Sequence, residues 1–165
     1  MTTIHHEIEA ACPPENIWAV LADLEAVQHY NPAVRTAAVR GPCRVGVGAE
    51  RVCDLLPRGR VVERVTHWED GREVGLEVAE SDWPIRFMHW VTRIEPKGAG
   101  SLISQRLEYE LKFGPLGWLL DKLVMKRKLT ATLDDVFARL ARRAEAASAA
   151  GGPTADQRGA SACRT

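Results

Sequence analysis

Cysteine is sparse and poorly spaced in this chain. Cys12, Cys43, Cys53 and Cys163 form no C-x-x-C pair and have no histidine at ligand spacing, which excludes a zinc or redox motif built on them. A chain of 165 residues can build a core without staples, so all four thiols are expected to be reduced, with Cys53 facing the interior of a strand. Long apolar runs are absent too, and the N-terminus Met1–Glu9 is polar and acidic where a secretion signal is basic and then apolar. The expectation is a cytoplasmic protein with no stable membrane insertion. Net charge is missing as well: 22 Lys and Arg balance 22 Asp and Glu, so no global field exists to hold a polyanion and no nucleic-acid partner is expected. His5, His6, His29, His67 and His89 make no i, i+3 or i, i+4 pair on a helix, which argues against a metal site. There is no G-x-S-x-G, phosphate loop or dinucleotide fingerprint, so hydrolase, kinase and nicotinamide-enzyme readings lack support.

What is present is the composition of an ordinary globular domain, 45% hydrophobic and 27% charged, enough to bury a real core. Residues 148–165 contain no large apolar side chain and cannot repay the entropy of ordering, so the domain is expected over residues 1–147, followed by a disordered tail. Thr3 to Ala11 sets Ile4, His6, Ile8 and Ala10 against Thr3, His5, Glu7 and Glu9, the period of a half-buried strand. Pro13-Pro14-Glu15 then opens a short helix carrying Ile17, Trp18, Val20, Leu21 and Leu24. A second turn or helix, Glu25 to Tyr30, ends before Pro32.

From Ala33 onward the pattern becomes short runs between Gly, Pro and Asp punctuation. Strands are expected at 34–40, 49–56, 60–68, 73–80, 85–95 and 101–113, paired antiparallel because the breaks are short. The last sets Ile103, Gln105, Leu107, Tyr109, Leu111 and Phe113 on one face. After Gly114-Pro115-Leu116-Gly117, a long helix is expected from Leu116 to Ala147. Its apolar stripes, Leu116-Leu119-Leu120-Leu123 and Leu129-Leu133-Val136-Phe137-Leu140-Ala144, are out of phase. Lys126, Arg127 and Thr130 occupy the break, so either the helix bends there or its middle faces a polar space.

In order and spacing, the helix Pro14–Asp23, the segment Tyr30-Asn31-Pro32-Ala33-Val34, the turn Gly46-Val47-Gly48-Ala49-Glu50-Arg51 and the block Phe113–Gly117 resemble the polyketide cyclase/dehydrase branch of the START-like, Bet v 1-like (SRPBCC) superfamily. The resemblance spans residues 3–147. It implies an α+β helix-grip fold: a seven-stranded antiparallel sheet wrapped around the long C-terminal helix, with two short helices after strand 1 and a hydrophobic cavity between sheet and helix. It also implies an apolar small-molecule ligand and no cofactor; the chain is expected as a monomer or homodimer. Members of the superfamily bind lipids, steroids and polyketides, and some catalyse cyclisation, aromatisation or dehydration; fold alone does not choose among these.

Polyketide chemistry needs groups that move a proton beside a carbonyl or polarise it. Tyr109, inward on the last strand with Gln105, offers a hydroxyl, or else simply packs its ring in the core. Glu63 alternates with Val61, Val65 and His67, and a carboxylate on that apolar face would suit base work; if Val62 faces inward instead, Glu63 is solvated. The parity of 85–95 is open between Met88, Trp90 and Ile94 on one face and Phe87, His89 and Val91 on the other. Thr130 with Lys126 or Arg127 reaches the cavity to anchor a ligand oxygen, or forms a solvated flank. The resemblance puts Tyr30 and Asn31 at the entrance. The expected ligand-contacting set is Trp18, Tyr30, Asn31, Trp90, Gln105, Tyr109, Lys126 and Thr130, with Glu63 and Tyr109 as catalytic candidates. No convergent acid/base pair can be named, so the reading is a binder of a lipid, isoprenoid or polyketide-like molecule, with a cyclase, aromatase or dehydratase as the alternative.

Overall fold

The structure, a computed structural model of the chain, describes residues 1–112 and 126–150, with Lys126 and Lys128 described by backbone alone. Strands β1 (Thr2–Ala10), β2 (Val34–Arg40), β3 (Glu50–Leu55), β4 (Arg60–Glu69), β5 (Glu73–Ser81), β6 (Ile85–Lys97) and β7 (Gly100–Leu111) form one sheet in the order β1-β7-β6-β5-β4-β3-β2. Every pairing is antiparallel. Each strand lies within two residues of its expected range, because Gly and Pro punctuation leaves the chain few other places to turn.

Between β1 and β2 run α1 (Pro14–Ala22), a 3-10 turn (Leu24–Ala26) and α2 (Val27–Tyr30). Pro14 starts α1 and Glu15 sits in its first turn, where a fixed φ and a negative charge both suit a helix start. Asp23 accepts the Glu25 amide through its side chain at 3.1 Å, and Asn31 Oδ1 accepts the Ala33 amide at 3.0 Å. This second Asx turn holds Tyr30 and Asn31 over one end of the sheet.

The long helix α3 (Lys126–Ala149) buries Val136, Phe137, Leu140, Ala141 and Ala144 against α1, α2 and β1. This is the helix-grip arrangement, and the second apolar stripe is the one that faces the sheet. The first stripe, with the Leu116–Met125 part of the expected helix, lies outside the described residues, as does the expected tail from residue 151. The helix itself continues to Ala149, two residues past the expected domain edge.

Two parity questions resolve in the sheet register. The β4–β5 register shifts between Val62 and Glu63 and again between Val65 and His67. The first shift skips Ala79 on β5 and keeps β4's alternation, so Glu63 faces inward with Val61 and Val65. The second adds Thr66 on β4, so His67, expected beside them, turns outward and meets Glu73 at 3.1 Å. Gly75 makes room for this second bulge: a Cβ there would lie 3.0 Å from His67 Cβ and 3.1 Å from Thr66 Oγ1. On β6, Met88, Trp90 and Thr92 face inward, while Phe87 is 38% exposed and stacks on His89 outside.

One expectation about cysteine fails. Cys43 is disulfide-bonded, while Cys12 and Cys53 are free and buried. Cys43 sits half-buried in the β2–β3 loop, where a thiol is accessible for pairing; Cys12 and Cys53 are locked in the core.

Candidate functional site

The sheet's inner face and α3 enclose a cavity of about 530 Å³, within the usual range for small-molecule sites. Its wall is mostly aliphatic and aromatic: Leu55, Val61, Val74, Leu76 and Val78 from the central strands, Met88, Trp90, Leu107, Tyr109 and Leu111 from β6 and β7, and Leu129, Leu133, Val136 and Leu140 from α3. Trp83 lies at its edge, with its indole N–H donating to the Arg58 carbonyl at 3.1 Å. A second depression of about 660 Å³, between the β4–β5 turn and the end of β6, is lined by Glu69, Asp70, Arg72, Glu95 and Lys97. It is open to solvent, and Arg72 pairs there with Glu69, so it offers no dry environment for recognition or chemistry.

Two polar islands interrupt the apolar wall. The first is charged. Arg51 on β3 and Glu63 on β4 are direct register partners, and Arg51 Nε donates to Glu63 Oε2 at 2.5 Å. Their side chains are only 6% and 13% exposed. Arg51 Nη1 also donates to the Leu24 carbonyl at 3.1 Å, which ties the short helices to the sheet. Burial, the largest single influence, would lower the Arg51 guanidinium, but the Glu63 carboxylate, Tyr30 and Cys53 together outweigh burial and keep the arginine charged. Cys53, 3.8 Å from Glu63 Oε2, is pushed up to about 12 by burial and then by the Glu63 charge. Tyr30 is also raised, chiefly by burial, against the opposing pull of Arg51. Glu63 is thus half of a neutralised pair, and Arg51 was not singled out from the sequence as a site residue.

The second island is neutral. Thr92 on β6, 3% exposed, stands opposite Gln105 on β7 and donates to its Oε1 at 3.1 Å. Gln105 in turn stands opposite His6 on β1. The His6 ring lies 5.1 Å from Phe137 and its Nδ1 is 3.3 Å from Asp134. Its Nε2 is buried with no hydrogen-bond partner.

Of the expected site residues, the structure brings Tyr30, Asn31, Glu63, Trp90, Gln105 and Tyr109 to this one cavity. Trp18 is elsewhere: its ring packs edge-on against Trp68, centroids 5.0 Å apart, and its indole donates to Asp70 Oδ1 at 3.0 Å. Helical periodicity places Trp18 on the buried side of α1, but that side meets the far end of the sheet. Thr130 is half-buried and is not among the described lining residues; α3 contributes Leu129, Thr132 and Leu133 instead. Arg127 is exposed, and the Lys126 side chain lies outside the described residues. No cluster of metal-ligating side chains occurs among the described residues, and none of their helices is long and apolar enough to cross a membrane.

Comparison with known proteins agrees with this fold. Solved structures of the same fold include a protein of Thermus thermophilus, with 24% identity and a TM-score of 0.76, covering 89% of this chain and 99% of that one. A START superfamily protein from Mycobacterium smegmatis has 19% identity and a TM-score of 0.71, covering 87% and 97%. Norcoclaurine synthase from Thalictrum flavum, solved in complex with dopamine and hydroxybenzaldehyde, has 20% identity and a TM-score of 0.64, covering 86% and 84%. No curated protein matches the sequence. At these identities the structures speak to the fold alone. The family described as polyketide cyclase / dehydrase and lipid transport matches over residues 1–145, from the first strand into the last turns of α3, and the chain belongs to that family.

Proposed function

We propose that this protein binds an apolar small molecule, of the lipid, isoprenoid or polyketide-like class, in the cavity between the sheet and α3. The observation that carries this reading is the lining: about 530 Å³ walled by aliphatic and aromatic side chains, whose charged groups face each other. Such a wall favours apolar surface by about 25 cal/mol for each Å² removed from water. The family, with its lipid transport and polyketide members, supports the same reading.

Binding is favoured over catalysis by the state of Glu63. A general base does its work with its own charge available to the substrate's proton, whereas the Glu63 carboxylate is tied through Oε2 to Arg51 at 2.5 Å and to Cys53 at 3.8 Å, with its charge neutralised by the arginine. Tyr109, the other candidate, is 1% exposed.

Native mass spectrometry of protein purified from its own host, with extraction of whatever accompanies it, tests the proposal. The expected result is one apolar molecule per chain, recovered unchanged, and uptake of the neutral fluorophore N-phenyl-1-naphthylamine by the emptied protein. A protein that takes up neither contradicts binding. Conversion of a linear polyketide to a cyclised or dehydrated product moves the function to the cyclase reading.

A further inference from the structure

The hydrogen-bonding capacity of the two polar islands differs. In the charged island, Arg51 Nε donates to Glu63 Oε2 and Arg51 also reaches the Leu24 carbonyl, so the charges neutralise one another and the atom left open is an acceptor, Glu63 Oε1. The neutral island is left short of partners. With its Oε1 taken by the Thr92 hydroxyl, Gln105 keeps two N–H donors on Nε2, and these meet no acceptor among the described residues. The indole N–H of Trp90, two residues from Thr92 on the same inward face, likewise meets none among them. Among the described residues, His6 Nε2 is the only side-chain polar atom both shut from solvent and unpartnered. The Gln105 and Trp90 nitrogens therefore open onto space, and both side chains line the cavity.

His6, Gln105 and Thr92 form one transverse row, residue opposite residue across β1, β7 and β6. Elsewhere these three strands bury Ile4, Ile94, Ile103 and Leu107, with the partly buried Ile8 packed against the core. Unpaired polar groups inside an apolar wall are costly and few in folded proteins, and each asks for a partner. The groups open to the cavity here are donors.

We infer that the Gln105–Trp90 notch, backed by Thr92, is the subsite that receives a carbonyl oxygen, so that the ligand is an apolar molecule carrying a ketone, ester or acid group rather than a pure hydrocarbon. This rests on the cavity-binding reading above and deepens it. Gln105 supplies the specificity: its amide is fixed by Thr92, so its N–H groups are aimed before the ligand arrives. The charged island does not suit a carbonyl: Arg51 is engaged by Glu63 Oε2 and the Leu24 carbonyl, and the oxygen that Glu63 leaves open, Oε1, is an acceptor, which a carbonyl oxygen cannot bond.

The test compares 2-decanone with decane, two chains of matched length, as competitors of bound N-phenyl-1-naphthylamine. The quantity read is the ratio of their dissociation constants. In Thr92→Val/Gln105→Leu, which replaces both partners by apolar groups of similar shape, 2-decanone loses about tenfold relative to decane. Gln105→Met, which keeps side-chain length and leaves Thr92 in place, shows the same loss and covers the case in which the double variant fails to fold. A ratio within about twofold of wild type in both variants overturns the assignment. So does a ratio that falls in Glu63→Gln and not in Gln105→Met, which would move the carbonyl to the charged island. If neither compound displaces the fluorophore from the wild type, the cavity reading itself fails and the subsite with it, a result distinct from an unchanged ratio.

Discussion

In a Glu63→Leu variant, the Arg51 guanidinium would stay buried with its main counter-charge removed. Arginine cannot escape by losing its proton, and its side chain is 6% exposed, so water does not replace the lost partner. Breaking a buried pair from one side costs about 3–5 kcal/mol. At about 2–4 °C per kcal/mol for a domain of this size, the melting temperature falls by roughly 6–20 °C. Removing both charges is a different perturbation. Arg51→Met/Glu63→Leu leaves the Leu24 carbonyl, which Arg51 holds at 3.1 Å, without its donor, at about 1–3 kcal/mol. Against this stands the replacement of a buried pair by apolar groups, which ranges from neutral to about 1–4 kcal/mol stabilising. The double variant is thus expected close to wild type and well above the single one. Urea unfolding followed by tryptophan fluorescence, with linear extrapolation, reads all three proteins. Two results refute the reasoning: a Glu63→Leu loss below about 1 kcal/mol, the range of a solvent-screened pair, or a double variant as unstable as the single one.

Three other perturbations follow from the same geometry. Because Cys53 is raised from 9.0 to about 12 in the folded protein, its contribution to stability is complete below pH 9 and is lost as pH rises towards 12, where only the unfolded thiol ionises, with a slope of up to about 1.4 kcal/mol per pH unit; Tyr30, also raised, adds loss of the same sign above pH 10. Urea midpoints that stay flat between pH 7.5 and 10.5 would contradict this. Gly59 has φ +117 and a Cβ there would run into Trp83 Nε1, so Gly59→Ala costs about 1–3 kcal/mol and alters the near-UV circular dichroism of the indole; wild-type stability and spectrum would contradict it. His6→Leu removes a buried nitrogen that has no partner and a contact to the mostly exposed Asp134, so stability stays within about 1 kcal/mol of wild type; a loss above about 3 kcal/mol would show that a bound water satisfies Nε2.

The strands were legible because their signals are local: alternation in Ile4–Ala10 and Ile103–Leu111, and Gly or Pro at nearly every turn. Tyr109 and Gln105 came from the same alternation, which a long regular strand preserves. Glu63 follows the alternation of Val61 and Val65, since the shift at Val62/Glu63 skips Ala79 on β5, but the same alternation misplaced His67, because the extra Thr66 at Val65/His67 resets the parity of β4 there. Trp18 misled because a buried helix face identifies the core but not which part of it. Arg51 was missed, although the sequence carried a usable signal. Glu50, Arg51 and Asp54 on one side of the Pro57 turn pair with Arg64, Glu63 and Arg60 on the other, all in one register. Opposite charges stabilise directly facing positions, so aligning the charges of this hairpin would have fixed the register and exposed the inward pair. The unmet donors of Gln105 had no such signal, because they depend on where a third strand puts Thr92.

The spacing of the two islands bears on ligand shape. Glu63 stands opposite Val78 and Thr92 opposite Val74, both on β5. Four residues along a strand at about 3.4 Å each give roughly 13 Å, and the two inter-strand steps from β4 to β6 at about 4.8 Å give roughly 10 Å. The islands are therefore roughly 16 Å apart, with Val74, Leu76 and Val78 between them. A ligand with one oxygen engages one island and lays its hydrocarbon along the valines. A molecule with carbonyl oxygens at both ends would have to span that apolar floor, and would meet there an arginine already engaged and the open acceptor Glu63 Oε1, which gives it no second hydrogen bond. The arrangement favours molecules that are polar at one end only, with that end at Gln105.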